Sequence, residues 1–182
     1  MTDASALIEA VLRDVLDGQG EIALVERLGE RLVAAGVPLA RMAVACDFLD
    51  PSFDAVGVRW SRGEPAVLES YARNPGTESK LAWESSPFYS LVNGGETRLR
   101  RRLDVGYRAG EFPVLDEFRA RGLTDYVAMV ERVRRSTWIG ETRGVVASWA
   151  SDAPGGFTDA GIDLLADVMP ALATAVLGRA MH

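Results

Sequence analysis

The chain has 182 residues, of which 48% are hydrophobic and 25% are charged, an ordinary composition for a single globular domain over residues 1–182. Its net charge of −6 argues against a general affinity for nucleic acid or for an anionic membrane surface. The single cysteine, Cys46, excludes an internal disulfide and favours a reducing compartment. No apolar run approaches the roughly 20 residues that cross a membrane, so we expect a cytoplasmic protein.

Residues 1–36 predict two amphipathic helices. Leu7, Val11 and Val15 recur at helical spacing in the first helix,. A second apolar run stops at Gly36 with Pro38 beyond it, which is a common way for a helix to end. Both helices precede the first strand.

The apolar period changes from helical to alternating at Arg41. Every second residue from Met42 to Phe48 is apolar, which predicts a strand, and residues 56–60 predict a returning strand after a turn at 50–52. Residues 61–85 are rich in glycine, proline, serine and glutamate. They predict a mostly irregular crossover with one strand near residues 67–71.

The middle of the chain predicts short helices alternating with strands. Helix starts are marked by a capping serine or a first-turn proline, and helix ends by glycine. The predicted elements are a helix over 86–94, a strand over 98–103, a helix over 113–121, a strand over 126–133, a hairpin turn over 134–143 and a strand over 145–149.

A long helix over residues 158–182 closes the chain. Thr158 is placed to cap it, and Phe157 and Ile162 have the spacing of a hydrophobic staple,. The helix also carries an apolar stripe, formed by Leu165, Met169, Leu172 and Val176.

This order of elements favours an α+β fold. A central, mostly antiparallel sheet of five to six strands accommodates it, with the N- and C-terminal helices on one face and the short helices and loops on the other.

Residue types used in catalysis are scarce. The only histidine, His182, argues against a Ser-His-Asp relay, a histidine-rich metal site and axial haem ligation from within the domain. Cys46 shares its strand face with Val44 and Phe48 and has no cationic neighbour. A buried structural thiol is therefore favoured over a nucleophile or a chromophore attachment point. We predict a chain without enzymatic activity.

One strand is rich in arginine. Alternation places Arg98, Arg100 and Arg102 on one face and Arg101 beside the inward leucines. A charge run is usually a solvated face, but an inward guanidinium needs a partner or can capture an anion in a pocket. Asp125 is the obvious partner for such an arginine, and holding loop amides is its alternative role.

Large aromatic side chains supply further candidate ligand contacts. Trp60 and Trp149 occupy strand positions, where a place in the core is an equally good interpretation, and Trp83 lies in the crossover, where it could cover a pocket. The candidate ligand-binding residues are Trp60, Trp83, Tyr89, Arg101, Asp125, Tyr126 and Trp149.

An ordered set of short motifs resembles the GAF-like N-terminal sensory domain that precedes the catalytic domain in bacterial class III adenylate and guanylate cyclases. The resemblance covers about residues 25–177. The motifs are Gly36-Val37-Pro38-Leu39-Ala40-Arg41, Trp60, Ser86-Pro87, Arg101-Arg102-Leu103, Phe112-Pro113-Val114-Leu115, Gly122-Leu123-Thr124-Asp125-Tyr126-Val127-Ala128-Met129, Trp149-Ala150-Ser151 and Pro154-Gly155-Gly156-Phe157-Thr158.

The resemblance implies a regulatory domain that controls a cyclase, with residues 158–182 leading toward an output domain absent from this chain. The metal-binding aspartates and the Asn/Arg pair of the cyclase domain have no counterpart here, and Asp50-Pro51 stands where the family commonly has His-Pro. Cys46 is followed by Asp47 rather than by the histidine of bilin attachment, and the Asn-Lys start of the cyclic-nucleotide pattern is missing. We therefore expect bilin, haem and metal to be unlikely cofactors and leave the ligand unknown.

Three functions remain open. The first is a sensory domain that works as a homodimer, binds a small molecule or a partner, and controls a cyclase domain in the same or another chain. The second is a ligand-free structural dimerisation module, which a filled core with Trp60 and Trp149 in contact would favour. The third, an enzyme that uses Asp125 with an arginine, is least supported by the residue inventory.

Overall fold

A computed structural model describes residues 4–48, 55–71, 77–132 and 142–179. Within these ranges the chain forms six helices and six strands. They are α1 (Ala4–Leu16), α2 (Glu21–Ala34), β1 (Arg41–Phe48), β2 (Ala55–Ser61), β3 (Glu64–Tyr71), α3 (Thr77–Glu84), α4 (Pro87–Gly94), β4 (Arg98–Arg102), α5 (Pro113–Ala120), β5 (Asp125–Glu131), β6 (Thr142–Ser151) and α6 (Asp159–Arg179).

The strands form one sheet in the order β3-β2-β1-β6-β5-β4. Every neighbouring pair is antiparallel, so β4 and β3 are the two edges. Because side chains alternate between the faces of a strand, each strand contributes to two different layers. This architecture confirms the predicted α+β fold class.

The larger core lies between one face of the sheet and α1, α2 and α6; we call it the helix core. Its members include Leu28 of α2, Met42 of β1, Trp149 of β6 and Leu165 of α6, all at most 1% exposed. Burial of this apolar surface is the main force that holds the three helices on the sheet.

A second core lies on the opposite face and is built on β4, β5 and β6; we call it the α5 core. Leu91 of α4, together with Leu115 and Phe118 of α5, packs there beside Leu99 and Tyr126. Short helices therefore cover part of the second face, as the sequence predicts.

Two predicted helix caps are present. The backbone N–H of Tyr89 donates to Ser86 Oγ over 3.1 Å at the start of α4, and the N–H of Gly161 donates to Thr158 Oγ1 over 3.1 Å at the start of α6. Each bond satisfies one amide that the first turn of a helix leaves without an intrahelical partner.

The prediction that residues 61–85 are mostly irregular is wrong, whereas the strand predicted near residues 67–71 is confirmed by β3. The chain turns within two residues at Arg62 and Gly63, where Gly63 has a φ of 82°, and continues as β3 and then α3. β3 is hard to recognise because it is an edge strand, in which Val67 and Leu68 are both exposed, so its apolar residues do not alternate. The predicted turns at 50–52 and 134–143 fall largely outside the described residues.

α6 is the one helix among the described residues that is long and apolar enough, by length and composition, to cross a membrane. It packs against α1, β5 and β6, and Leu165, Val168 and Leu172 are buried there. A helix in the core of a soluble domain passes the same test of length and composition. The burial of these three residues against the sheet is that of such a core helix.

A buried ion pair joins α1 to α2. Asp14 on α1 is 2% exposed and accepts hydrogen bonds from Arg27 Nη1 over 3.0 Å and from both terminal nitrogens of Arg31. The Arg31 side chain, more than any other group, holds the pKa of Asp14 below its ordinary 3.8.

This pair predicts an acid-dependent loss of stability. Since the pKa of folded Asp14 lies below 3.8, the carboxylate stabilises the fold at every pH above that value and loses this contribution as the pH falls through the folded pKa. We expect Asp14→Asn to lower the free energy of unfolding at pH 7 and to flatten its fall below about pH 4. Urea unfolding from pH 2.5 to 7 measures this, with Asp17→Asn, at an exposed position just beyond α1, as the control. Parallel curves for Asp14→Asn and the unsubstituted protein would contradict the prediction.

Candidate functional site

A cleft of about 470 Å³ lies beside the edge strand β4. Its wall is formed by the end of β4 and by the loop that leads from β4 to α5. Four of its lining residues are arginines, whereas one is acidic. The lining residues are Arg100, Arg101, Arg102, Val105, Gly106, Tyr107, Arg108, Ala109, Gly110 and Glu111.

Arg101 and Glu111 form an ion pair in the wall of this cleft. Arg101 Nε donates to both carboxylate oxygens of Glu111 over 2.9 Å, and its Nη2 donates to Oε1 over 2.5 Å. Arg101 Nη1 also donates to the carbonyl oxygen of Arg100 over 2.9 Å. These bonds lower the pKa of Glu111 and raise that of Arg101, so both groups are charged at neutral pH.

Two of the other three cleft arginines, Arg102 and Arg108, differ in their partners. Arg102 donates through Nε and Nη2 to Asp104 over 2.9 to 3.1 Å, which lowers the pKa of that carboxyl. Arg108 forms no ion pair with any of the described residues, and its charge acts on Glu111 at longer range. The lining of the cleft therefore holds more arginines than carboxylates, although the chain as a whole is acidic.

Arg100 connects the cleft to the start of α6 through Asp125. Asp125 is fully buried and accepts from Arg100 Nη2 over 2.8 Å, from the N–H of Phe157 over 2.9 Å and from the N–H of Tyr126 over 3.0 Å. Arg100 Nη2 also donates to the carbonyl oxygen of Phe157 over 2.9 Å, and its Nη1 lies 3.5 Å from Asp159.

The prediction that Asp125 pairs with an inward arginine is thus half right. Asp125 pairs with Arg100 and holds loop amides, while Arg101 takes Glu111. The reason is the register of β4 on β5, which places Arg101 opposite Tyr126 and Arg100 opposite Val127. Asp125, Val127 and Arg100 consequently share one face of the sheet, and Arg101 lies on the other.

The predicted aromatic residues do not gather in one place. Tyr126 is buried in the α5 core, where burial raises the pKa of its phenol well above the usual range against the effect of a hydrogen bond with Ser148. Trp83 and Tyr89 meet edge to face, with ring centroids 6.1 Å apart, and Trp83 is 41% exposed. None of these three lines the cleft.

Trp60 and Trp149 lie on the opposite face of the sheet, in the helix core. The Trp60 indole packs against α2 at Gly29, where a Cβ atom would stand 2.6 Å from Cδ2 of the ring. Trp149 is 1% exposed, and its Nε1 is a buried side-chain nitrogen without a hydrogen-bond partner among the described residues. Their packing is that of core residues.

The loop residues of the cleft were missed by the sequence reasoning. Tyr107, Arg108 and Glu111 carry no alternating or helical pattern. The available signal was the segment from Gly106 to Gly110, in which Tyr107 and Arg108 lie between two glycines just after the arginine-rich strand. In the described part of the chain, no group of three His, Cys, Asp or Glu residues could hold a metal ion.

Solved structures that share this fold are GAF domains, which act as regulatory sensory domains in signalling proteins. The phycoerythrobilin-bound GAF domain from a cyanobacterial phytochrome matches with a TM-score of 0.60 at 8% identity, over 97% of this chain and 95% of that one. The phycocyanobilin-bound GAF domain from a cyanobacterial phytochrome matches with 0.57 at 11%, over 97% and 94%. The GAF domain/HD domain protein from Geobacter sulfurreducens matches with 0.51 at 18%, over 100% of both chains.

These similarities give the chain a GAF-like α+β fold. No protein-family model matches the sequence, and no curated protein matches it. The GAF part of the sequence resemblance is supported in this way, whereas its cyclase part stays a prediction.

The prediction that a bilin is an unlikely cofactor is wrong, because domains of this fold hold phycoerythrobilin and phycocyanobilin. The missing Cys-His pair was too narrow a criterion for that exclusion. Cys46 is 3% exposed in the helix core, and the cofactor of this chain is unassigned.

Proposed function

We propose that this chain is a non-catalytic regulatory domain that binds a small molecule in the arginine-lined cleft and passes the change to an output partner. The observation that carries the proposal is the continuous set of hydrogen bonds from the cleft to α6. Arg100 lines the cleft, Asp125 binds Arg100, and Phe157 binds both of them immediately before the helix begins. A ligand that competes for Arg100 therefore acts on the residues that fix the start of α6.

The output proposed for this helix is an adenylate or guanylate cyclase domain, in the same chain or in a partner. This part of the proposal comes from the motif resemblance described above. α6 suits the role by its length, because it runs for 21 residues from the end that the Phe157 contacts hold. Pro170, inside the helix, removes one of its backbone hydrogen bonds,.

The proposed assembly is a homodimer that uses the helices of the domain. Three residues of the apolar stripe of α6, Leu165, Met169 and Leu172, are buried in the helix core, so a contact between copies would use other residues. Leu12 and Leu16 of α1 are 43% and 84% exposed, and α1 packs beside α6. An apolar contact between copies would therefore centre on α1.

Native mass spectrometry of protein purified gently from its own cytoplasm tests this function first. We expect a complex heavier than the bare chain that releases a small molecule on denaturation. A mass of twice the bare chain with nothing bound would contradict ligand sensing and would favour the second candidate function, a ligand-free dimerisation module. The burial of Trp60 and Trp149 in the helix core, at 3% and 1% exposed, is the observation that favours that second function.

A further inference from the structure

The Glu111 carboxylate accepts hydrogen bonds from the Arg101 guanidinium in the way that the carboxylate or phosphate of a ligand would. Both carboxylate oxygens of Glu111 lie 2.9 Å from Arg101 Nε, and one lies 2.5 Å from Nη2. A guanidinium offers the same planar fork to any carboxylate or phosphate. The pair is also accessible, because the two side chains are 35% and 29% exposed.

The lining of the cleft holds four arginines and one carboxylate, that of Glu111. Arg100 and Arg102 pair with acidic residues beside the lining, Arg100 with Asp125 and Asp159 and Arg102 with Asp104, whereas Arg108 forms no ion pair among the described residues. A concave surface lined by guanidinium groups attracts small anions, and it does so here in a chain of net charge −6.

We propose that the cleft binds a small organic oxyanion, carrying a phosphate or carboxylate group, and that Glu111 is a displaceable latch whose place on Arg101 the anion takes. The inference rests on the proposed ligand-binding function and adds the chemical class of the ligand and the residue that it displaces. A neutral ligand has no comparable means of separating the pair, because it offers Arg101 no charge in exchange.

Displacement of Glu111 changes the start of α5. Phe112, the next residue, is the N-cap of α5, and the Arg101 guanidinium lies 5.8 Å above its ring. The Tyr107 hydroxyl donates to the Phe112 carbonyl oxygen over 3.1 Å and accepts from the Phe112 N–H over 3.3 Å. The loop from Asp104 to Glu111 is thereby tied to α5, which packs on the sheet through Leu115 and Phe118.

Calorimetric titration of the full chain with pyrophosphate and with citrate, at constant ionic strength, tests the latch. We expect Glu111→Gln to bind the preferred anion about tenfold more tightly than the unsubstituted protein, and Arg101→Gln to bind it at least about tenfold more weakly. The matched controls are Glu117→Gln and Arg121→Gln, a solvent-exposed pair at the far end of α5. Preference for pyrophosphate identifies a phosphate ligand and preference for citrate a carboxylate ligand. Unchanged affinity in Glu111→Gln would overturn the latch, and unchanged affinity in Arg101→Gln would overturn the site.

Amide hydrogen exchange is a second measurement. If the Arg101–Glu111 pair were only structural, adding an anion would leave the exchange rates unchanged. Pyrophosphate or citrate should speed exchange of the Glu111 and Phe112 amides in the unsubstituted protein, and Glu111→Gln should exchange fast there without any anion. Glu111→Asp, which keeps the charge on a shorter side chain, replaces Glu111→Gln if the latter does not fold.

A co-purified ligand that stays bound to Arg101→Gln would contradict this inference while leaving the proposed sensory function intact. Anion binding in the cleft of a protein that carries no co-purified ligand would support the anion site and contradict the proposed sensory function.

Discussion

Replacing Asp125 with alanine is expected to lower the free energy of unfolding by about 3 kcal/mol. The carboxylate is fully buried and is shared by the Arg100 guanidinium and the amides of Tyr126 and Phe157. Its removal takes the buried carboxylate from the Arg100 guanidinium, which keeps the Phe157 carbonyl oxygen and Asp159, and takes the acceptor from two amide N–H groups, those of Tyr126 and Phe157. A buried donor that loses its acceptor costs more than the lost hydrogen bond is worth. Urea unfolding at pH 7, followed by circular dichroism, measures the change.

Two variants separate the charge of Asp125 from its hydrogen bonds. Asp125→Asn keeps one acceptor oxygen and should lie between alanine and the unsubstituted protein. Arg100→Gln should cost less than Asp125→Ala, because Arg100 is 28% exposed and the carboxylate keeps its two amide donors. A loss below about 1 kcal/mol for Asp125→Ala, within the range of an ordinary exposed substitution, would show that water replaces the missing contacts.

The Asp125 network also requires a glycine. At Gly156 a Cβ atom would stand 2.4 Å from Oδ2 of Asp125, and its φ of 66° is one that side-chain-bearing residues rarely adopt. The motif Gly155-Gly156-Phe157-Thr158 therefore combines a close approach to a buried carboxylate with the cap of α6. Sequence reasoning recognised the cap but had no means of seeing the approach.

Elements with a regular pattern were predictable. β1 and β6 are central strands whose alternate residues face the helix core, and α2 has a continuous apolar side, so each carried its own period. β3 was predicted only in part, near residues 67–71, because it lies on an edge and exposes Val67 and Leu68 on opposite faces. α3, whose residues 81–84 are exposed, was not predicted. The hydrophobic pattern reports burial, and elements that bury little leave a weak pattern.

Of the seven predicted ligand-binding residues, Arg101 lines the cleft and the other six do not, and the pairings of the arginines were not predictable either. The alternation of β4 correctly set Arg101 apart from Arg100. Which acid each arginine meets depends on the register of β4 on β5 and on the path of the following loop, and neither is written in the pattern of a single strand. Glu111 lies ten residues along the chain, in a loop with no period, so its pairing with Arg101 appears only in three dimensions.

The environment of Trp60 in the helix core was also not predictable from the pattern of its strand alone. Alternation placed it correctly on a strand face with Val58, but it could not say which face the helices cover. Its indole lies beneath α2 at the one position of the contact where the helix has no side chain, Gly29. That complementarity leads to the second large effect.

Gly29→Ala is expected to destabilise the protein by about 2 kcal/mol, because inserting a methyl group into a packed core forces neighbouring atoms to move. The direction is opposite to the usual one, since alanine within a helix is favoured over glycine by roughly 1 kcal/mol. Here the new Cβ would lie 2.6 to 2.8 Å from three atoms of the Trp60 ring, and that ring is 3% exposed, so it has little room to withdraw.

Gly178→Ala is the matched control, because Gly178 also lies in a helix, α6, but its new Cβ would meet nothing within 4 Å. It should leave the free energy of unfolding unchanged or raise it by up to about 1 kcal/mol. If the Trp60 ring causes the loss in Gly29→Ala, then Trp60→Phe, which shortens the ring system, should make Gly29→Ala less costly, and a double-mutant cycle measures that relief. Stabilisation by Gly29→Ala would instead mean that α2 can lift from the sheet at little cost, and the helix core would then be a looser layer than its burial indicates.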